Sequence, residues 1–257
     1  MSARMDGRVA LITGGGGGIG LETGRLFAEE GAAVTLVDSD GGAATAAAAT
    51  IEKSVAGAAV LALVADLTVE DEARRVVDAA VARFGALHTL VNVAGVRLYT
   101  PLAEADAREW QLILGVNVLA TAYCCKAAVP SLRAARRGTI VNVSSVYGVI
   151  GRAGMGQYDT TKAAVLGFTR ALAVEEAPHG IRVNAVCPGS TITPYHIRRA
   201  ASQGISEAEL RGKRTDNLLG RWADPREVAL PILFLACDES SYVTGATLMV
   251  DAGKSIL

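Results

Sequence analysis

Cysteine is scarce in this sequence, and no sign of charge is in surplus. Four cysteines occur in 257 residues, at Cys124, Cys125, Cys187 and Cys237. None stands in the C-x-x-C spacing of a zinc or redox site, and neighbours such as Cys124 and Cys125 rarely pair with each other, so no metal and no disulfide frame is expected. The thiols read as reduced and buried, those of a cytoplasmic protein. Lys and Arg number 25 against 26 Asp and Glu, a net charge of −1, which supplies none of the basic field that nucleic-acid binding requires. No apolar run reaches the ~18 residues of a membrane helix, and the start of the chain has no signal-peptide core with a cleavage site. A nucleic-acid partner and a membrane are therefore not expected. There is no Pro/Ser-rich linker and no internal repeat, so residues 1–257 are expected to form a single domain, dinucleotide-binding and catalytic at once. With 51% hydrophobic and 20% charged residues, the chain has the composition of a folded protein and not of a disordered one.

What is present is an alternation. Short β-branched runs at 8–13, 32–38, 58–66, 87–95, 138–145, 181–189 and 246–251 are separated by longer stretches of helical composition, such as 68–84 and 156–177. The runs are nearly continuous in apolar residues, as strands buried on both faces are. The expected fold is α/β: a doubly wound, seven-stranded parallel sheet with helices on both faces, a Rossmann fold. The alanine-rich segment 41–50 reads as helix, with Gly41 and Gly42 just before it. The polar stretch 190–217 reads as an irregular substrate flap with one short helix near 206–212.

Residues 13–20, TGGGGGIG, follow the first strand and open a helix. Glycines there let the backbone approach a pyrophosphate, and the helix start presents free N–H groups and a positive dipole end. Gly14, Gly18 and Gly20 are the spaced glycines. Asp38 ends the second strand, where a carboxylate accepts hydrogen bonds from ribose hydroxyls and repels a 2′-phosphate. Its neighbours Val37 and Ser39 bring no cation, so the expected cofactor is NAD rather than NADP. Further on, YDTTK at 158–162 sets a tyrosine four residues before a lysine. Free, both groups are poor acid–base catalysts at pH 7, with pKa values of about 10 and about 10.4. The pair alone reads first as the wet face of an ordinary helix, because this spacing arises often by chance.

Together the ordered motifs resemble the short-chain dehydrogenase/reductase family, in the branch with T-G-x-x-x-G-x-G and Y-x-x-x-K. The resemblance runs from about residue 7 to 253 through TGGGGGIG, Asp38, ADL at 65–67, NVAG at 92–95, Asn117, NVSS at 142–145, YDTTK and CPGSTIT at 187–193. Two positions depart from it: Val93 stands where the family usually has Asn, with a packing consequence expected, and Ala252 where Gly is common. The resemblance implies a catalytic set of Asn117, Ser145, Tyr158 and Lys162. Residues i and i+4 share a helix face, and an ammonium beside a phenol favours the phenolate. Tyr158 is then the general acid/base of a secondary alcohol–ketone oxidoreductase, and Ser145, rather than Ser144, holds the reacting oxygen. By the same resemblance, Lys162 holds the nicotinamide ribose, and Asn117 kinks its helix and holds a water linking Lys162 to solvent. Gly14, Gly18, Ile19 and Gly20 take the pyrophosphate region. Asp66 and Leu67 lie at the adenine, Asn92, Ala94 and Gly95 at the adenosine. Pro188, Gly189, Thr191 and Thr193 line the nicotinamide together with Tyr158 and Lys162. Helices over 104–135 and 156–177 are expected to pair subunits into a homotetramer.

The substrate is expected to be a small alcohol or ketone. Arg97, Arg152 and Arg199 read either as surface arginines or as a carboxylate-recognising set, and His196 reads as a flap residue. An NADPH-linked carbonyl or 3-oxoacyl reductase is the alternative. A non-catalytic NAD-binding regulator would call for a broken Ser/Tyr/Lys set, and the set is intact.

Overall fold

In the computed structural model, which describes residues 3–257, seven strands form one parallel sheet in the order β3-β2-β1-β4-β5-β6-β7. They are β1 (Val9–Thr13), β2 (Ala33–Asp38), β3 (Val60–Val64), β4 (Thr89–Asn92), β5 (Thr139–Val143), β6 (Arg182–Pro188) and β7 (Thr247–Val250). Every residue of β1, β4 and β5 is buried, which is why these runs are apolar without alternation. On one face Ala10, Ile12, Val34 and Val141 pack against α1 (Gly18–Glu29), α2 (Gly41–Ser54) and α9 (Pro225–Ala236). On the other, Val9, Leu11, Leu90 and Ile140 meet α3 (Glu70–Phe84), α5 (Ala120–Ala134) and the end of α6 (Gly156–Glu176). Leading into α5 are α4 (Ala107–Leu114) and one π turn, Gly115–Leu119. The chain winds outward from β1 in both directions. The C-terminal ends of β1 and β4 therefore flank the switch point at which ligands bind in such sheets.

The strand boundaries contract from the sequence expectation by one to three residues at an end. β4 stops at Asn92 because the next two N–H groups, of Val93 and Ala94, donate to Thr13 Oγ1 at 3.1 and 3.2 Å instead of to a neighbouring strand. The Val93 side chain joins the apolar core over α1 and α9. Gly41 and Gly42 lie inside the first turn of α2, not before it. The helix starts at Asp40, whose carboxylate accepts from Ala43 N–H at 3.0 Å, and such a cap carries the first turn whatever the residues within it.

The flap differs more. Two helices are present where one was expected: α7 (Pro194–Ala201) and α8 (Glu207–Gly212). Pro194 at the first helical position sets the start of α7, and Ser206 with Glu209 forms a capping box on α8. Ile192, Ala200 and Leu210 are buried against Ile197, Ile205 and Trp222, so the segment has a small apolar core of its own.

The segment 107–134 is long and apolar enough, by composition, to cross a membrane. In the fold Cys124, Cys125, Ala128 and Leu132 of this segment are buried in the core beneath the sheet.

Candidate active site

A cleft of about 590 Å³ opens along the C-terminal edge of the sheet. It runs from the glycine turn after β1, past Asp38 and Asp66, to Ser145, Tyr158 and the flap. Gly14, Gly18, Ile19, Asp38, Asp66, Leu67, Ala94, Gly95, Ser145, Tyr158, Lys162, Pro188, Gly189, Thr191 and Thr193 all line it. Three expected site residues do not. Gly20 stands behind the turn, where a side chain would overlap the Gly14 carbonyl. Asn92, expected at the adenosine, turns its amide into the sheet and donates to Asn142 Oδ1 at 2.9 Å. Asn117 is 1% exposed, in the π turn.

The glycine turn has the form a pyrophosphate needs. Gly14 sits at φ +64°, and a Cβ there would come within 2.9 Å of the Ala94 main-chain nitrogen. The start of α1 has no side-chain cap, leaving its first N–H groups to a ligand. Asp38 is held rigidly beside the turn: Oδ2 accepts from Gly16 N–H at 3.0 Å and Oδ1 from Asp40 N–H at 3.1 Å. Asp66, one strand further, is kept below the ordinary carboxylate range by the hydroxyl and N–H of Thr68.

Tyr158, 5% exposed, projects from the first turn of α6, and Lys162, 3% exposed, follows one turn later. The lysine Nζ lies 5.7 Å from the tyrosine ring centroid and donates to the Val143 carbonyl at 2.9 Å. Burial pushes the phenol pKa up. The charges of Lys162 and Arg97 and hydrogen bonding from Ser145 and Arg97 more than reverse that, leaving the phenol below its ordinary value. For Lys162, burial dominates and lowers the ammonium pKa, against the pull of Tyr158 and with a further push from Arg97.

The two serines after β5 separate cleanly. Ser144 Oγ donates to the Lys162 carbonyl at 2.7 Å and so ties α6 to the strand end. Ser145 lines the cleft and caps the short turn Val146–Gly148, its Oγ accepting from Tyr147 N–H at 3.2 Å. Asn117 joins three elements. Its Oδ1 accepts from Val96 N–H at 2.8 Å, and its Nδ2 donates to the Val96 carbonyl at 3.0 Å and to Thr161 Oγ1 at 2.9 Å. Its side chain is thus spent on positioning the segment after β4 against α6. A water path from Lys162 would have to use its main-chain carbonyl.

Residues outside the proposed catalytic set complete the site. Arg97 lies across the cleft wall, its guanidinium 5.4 Å from the Tyr158 ring centroid. Thr13 and Val143 supply the hydroxyl and carbonyl already described. Pro194 of the flap stands 3.2 Å from where a Gly17 Cβ would be, which brings α7 over the glycine turn. Arg97 is named from the sequence, and Thr13 and Val143 lie within the quoted motifs, but the contacts they make were not readable from spacing. The Thr193-Pro194 step was the one readable signal, because it starts a helix at the cleft's rim. His196 is a flap residue, as expected. Burial beside Arg97 and Arg199 lowers its pKa to about 4, so it stays neutral near pH 7. Burial pushes the Cys124 thiol up to about 12 and also raises Cys125 and Cys187, which leaves them inert.

A family model described as enoyl-(acyl carrier protein) reductase matches residues 15–255. The chain is 36% identical to 2-(S)-hydroxypropyl-CoM dehydrogenase 3 of Xanthobacter autotrophicus, over the whole of both proteins. It is 41% identical to cis-4-hydroxycyclohexanecarboxylate dehydrogenase of Sinomonas cyclohexanicum, over 96% of each chain. It is 37% identical to a 3-oxoacyl-(acyl-carrier-protein) reductase of Thermotoga maritima, over 98% of this chain and all of that one. A solved structure titled "Crystal structure of gox2181" superposes with a TM-score of 0.90 at 31% identity, covering 100% of this chain and 98% of the other.

Proposed function

The chain belongs to the short-chain dehydrogenase/reductase family, and we propose from that premise that it interconverts a secondary alcohol and a ketone with NAD as the hydride carrier. The observation that carries the reading is the buried Tyr158 phenol, held in the cleft beside Lys162 and Ser145 with its proton affinity lowered. The cleft fits a dinucleotide: an uncapped helix start, a close-approach glycine turn and a fixed carboxylate at the end of β2. The bound nicotinamide supplies the hydride acceptor or donor. Tyr158 takes the proton from the substrate hydroxyl in oxidation and returns it to the carbonyl oxygen in reduction. Ser145 donates a hydrogen bond to that oxygen as charge develops on it. Lys162 keeps the phenolate accessible and holds the ribose hydroxyls of the nicotinamide half. Asn117 braces the cleft wall, and its main-chain carbonyl offers the start of a proton path from Lys162 to solvent.

Asp38 supports NAD over NADP. Its oxygens are fixed at the cleft by Gly16 and Asp40, a 2′-phosphate placed there would meet a negative charge, and its chain neighbours Val37 and Ser39 bring no cation. The preference suits net oxidation of the alcohol. Leu112 and Leu119 on the α4–α5 segment and Val174 on α6 expose large apolar side chains, which supports pairing of these helices in a homotetramer. Four buried free thiols support a cytoplasmic site of action.

The test is a panel of secondary alcohols with NAD⁺ and with NADP⁺, followed at the reduced-nicotinamide absorbance. Turnover with NAD⁺ that vanishes in Tyr158→Phe is the expected result. Full activity in that variant would refute the acid–base assignment. The 3-oxoacyl reductase alternative, favoured by the Thermotoga maritima relative, instead predicts turnover of 3-oxoacyl thioesters with NADPH.

A further inference from the structure

Resting on the dehydrogenase reading, we propose that Arg97 is the substrate-recognising residue of this site, and that the substrate is a secondary alcohol or ketone bearing a carboxylate a few bonds from the reacting carbon. Arg97 follows the end of β4 and lines the cleft. Its guanidinium stands 5.4 Å from the Tyr158 ring centroid and 5.6 Å from that of Tyr195, and Nη1 donates to His196 Nε2 at 2.7 Å. These contacts are to the catalytic tyrosine and the flap, not to the glycine turn that takes the pyrophosphate.

Among the described residues, no carboxylate lies within ion-pair distance of Arg97. Arg198, the other arginine lining the cleft, is exposed and sits toward the far end of α7. Arg152 and Arg199, which do not line the cleft, differ as well. Arg152 stacks on Tyr147 and is 3.3 Å from Asp159, so its charge is already answered. Arg199 is exposed and lies on the Tyr99 ring at 3.9 Å. His196 does not compensate Arg97 either. A guanidinium only donates, so His196 Nε2 accepts, and Nδ1–H donates to Thr193 Oγ1 at 2.9 Å. That arrangement fixes a neutral ring and holds the guanidinium in place. A partly buried cation with no carboxylate partner, held by His196 and beside the proton-transferring group, is a preorganised carboxylate site.

The alternative role for Arg97 is electrostatic only: a second cation that eases ionisation of Tyr158. That role acts equally on charged and neutral substrates, so a ratio separates the two. The experiment measures kcat/KM with NAD⁺ for cis-4-hydroxycyclohexanecarboxylate and for cyclohexanol, at one pH, in the wild type, Arg97→Met and Arg97→Lys. A charge-assisted pair predicts a preference for the acid of about tenfold or more. The preference disappears in Arg97→Met and is partly kept in Arg97→Lys. A wild-type ratio near one, or a ratio unchanged in Arg97→Met, overturns the proposal while cyclohexanol turnover leaves the dehydrogenase reading standing. A binding measurement does not depend on turnover. Calorimetric titration with cyclohexanecarboxylate should show binding that Arg97→Met abolishes and that cyclohexanecarboxamide does not reproduce. Equal binding of acid and amide refutes the proposal. Loss of all alcohol turnover despite selective carboxylate binding counts against the parent reading alone.

Discussion

The Lys162 ammonium donates to the Val143 main-chain carbonyl at 2.9 Å. The last residue of β5 thereby fixes where the cation of α6 stands, and hence the field at Tyr158. Replacing Lys162 by Met removes that cation and the reach to the ribose. Alcohol oxidation near pH 7 is expected to fall by about 10²-fold or more, the usual range for a disabled proton-transfer group. Steady-state kinetics give the rate, and a separate NADH fluorescence titration shows how much of the loss is cofactor affinity. Near-normal kcat in the variant contradicts the assigned role.

The direction of the Tyr158 shift sets a pH profile. Oxidation needs the phenolate, so its rate rises with pH and levels off once the phenol has ionised. Because the phenol is held below its ordinary value, the rising limb should lie below pH ~10, the free phenol value. Reduction needs the protonated form and should fall over the same window. Arg97→Met removes one of the lowering charges and should carry both limbs to higher pH, for charged and neutral substrates alike. Limbs that stay in place when Arg97 is removed contradict that electrostatic contribution.

Coenzyme choice can be tested without dismantling the turn. Asp38→Asn keeps an acceptor for Gly16 N–H but removes the charge. Combined with Ser39→Arg, it should lower kcat/KM for NAD⁺ and raise it for NADP⁺, shifting the ratio by about tenfold to a hundredfold. Parallel assays with the two nucleotides read this directly. An unmoved ratio would mean that Asp38 does not meet the ribose.

Ala252 is one of two non-glycine residues at positive φ among the described residues, at 54°. A Cβ in that region costs roughly 1–2 kcal/mol, part of which is returned by a more restricted unfolded chain. Ala252→Gly should therefore stabilise the protein by about 0.5–1 kcal/mol, a Tm increase of about 1–4 °C at this chain length. Thermal unfolding followed by circular dichroism checks it. A lower Tm would show that the Ala252 methyl makes contacts worth more than the strain.

The sheet was legible because its central strands β1, β4 and β5 are buried on both faces and the half-buried outer strands β3 and β7 keep the same apolar runs, which need no tertiary information to be recognised. The proposed Tyr158/Lys162 pair was legible for a related reason: an i, i+4 pair on one helix face leaves a fixed spacing in the chain. The flap was less so. Its local signals, Pro194 and the Ser206/Glu209 cap, are short, and the burial of Ile192, Ala200 and Leu210 that makes two helices worthwhile comes from chain-distant partners such as Trp222. Asn92 and Asn117 could be named as site residues but not placed, since where an amide points depends on which strand or turn presents the matching group.

Order and type of elements, the glycine turn after β1 and the Tyr158/Lys162 spacing are thus properties of the chain read alone, because local spacing and burial pattern encode them. Only the tertiary structure decided that Arg97 stands over Tyr158 without a counter-ion, while Arg152 has Asp159. Charge compensation depends on separation in space, and separation along the chain says nothing of it.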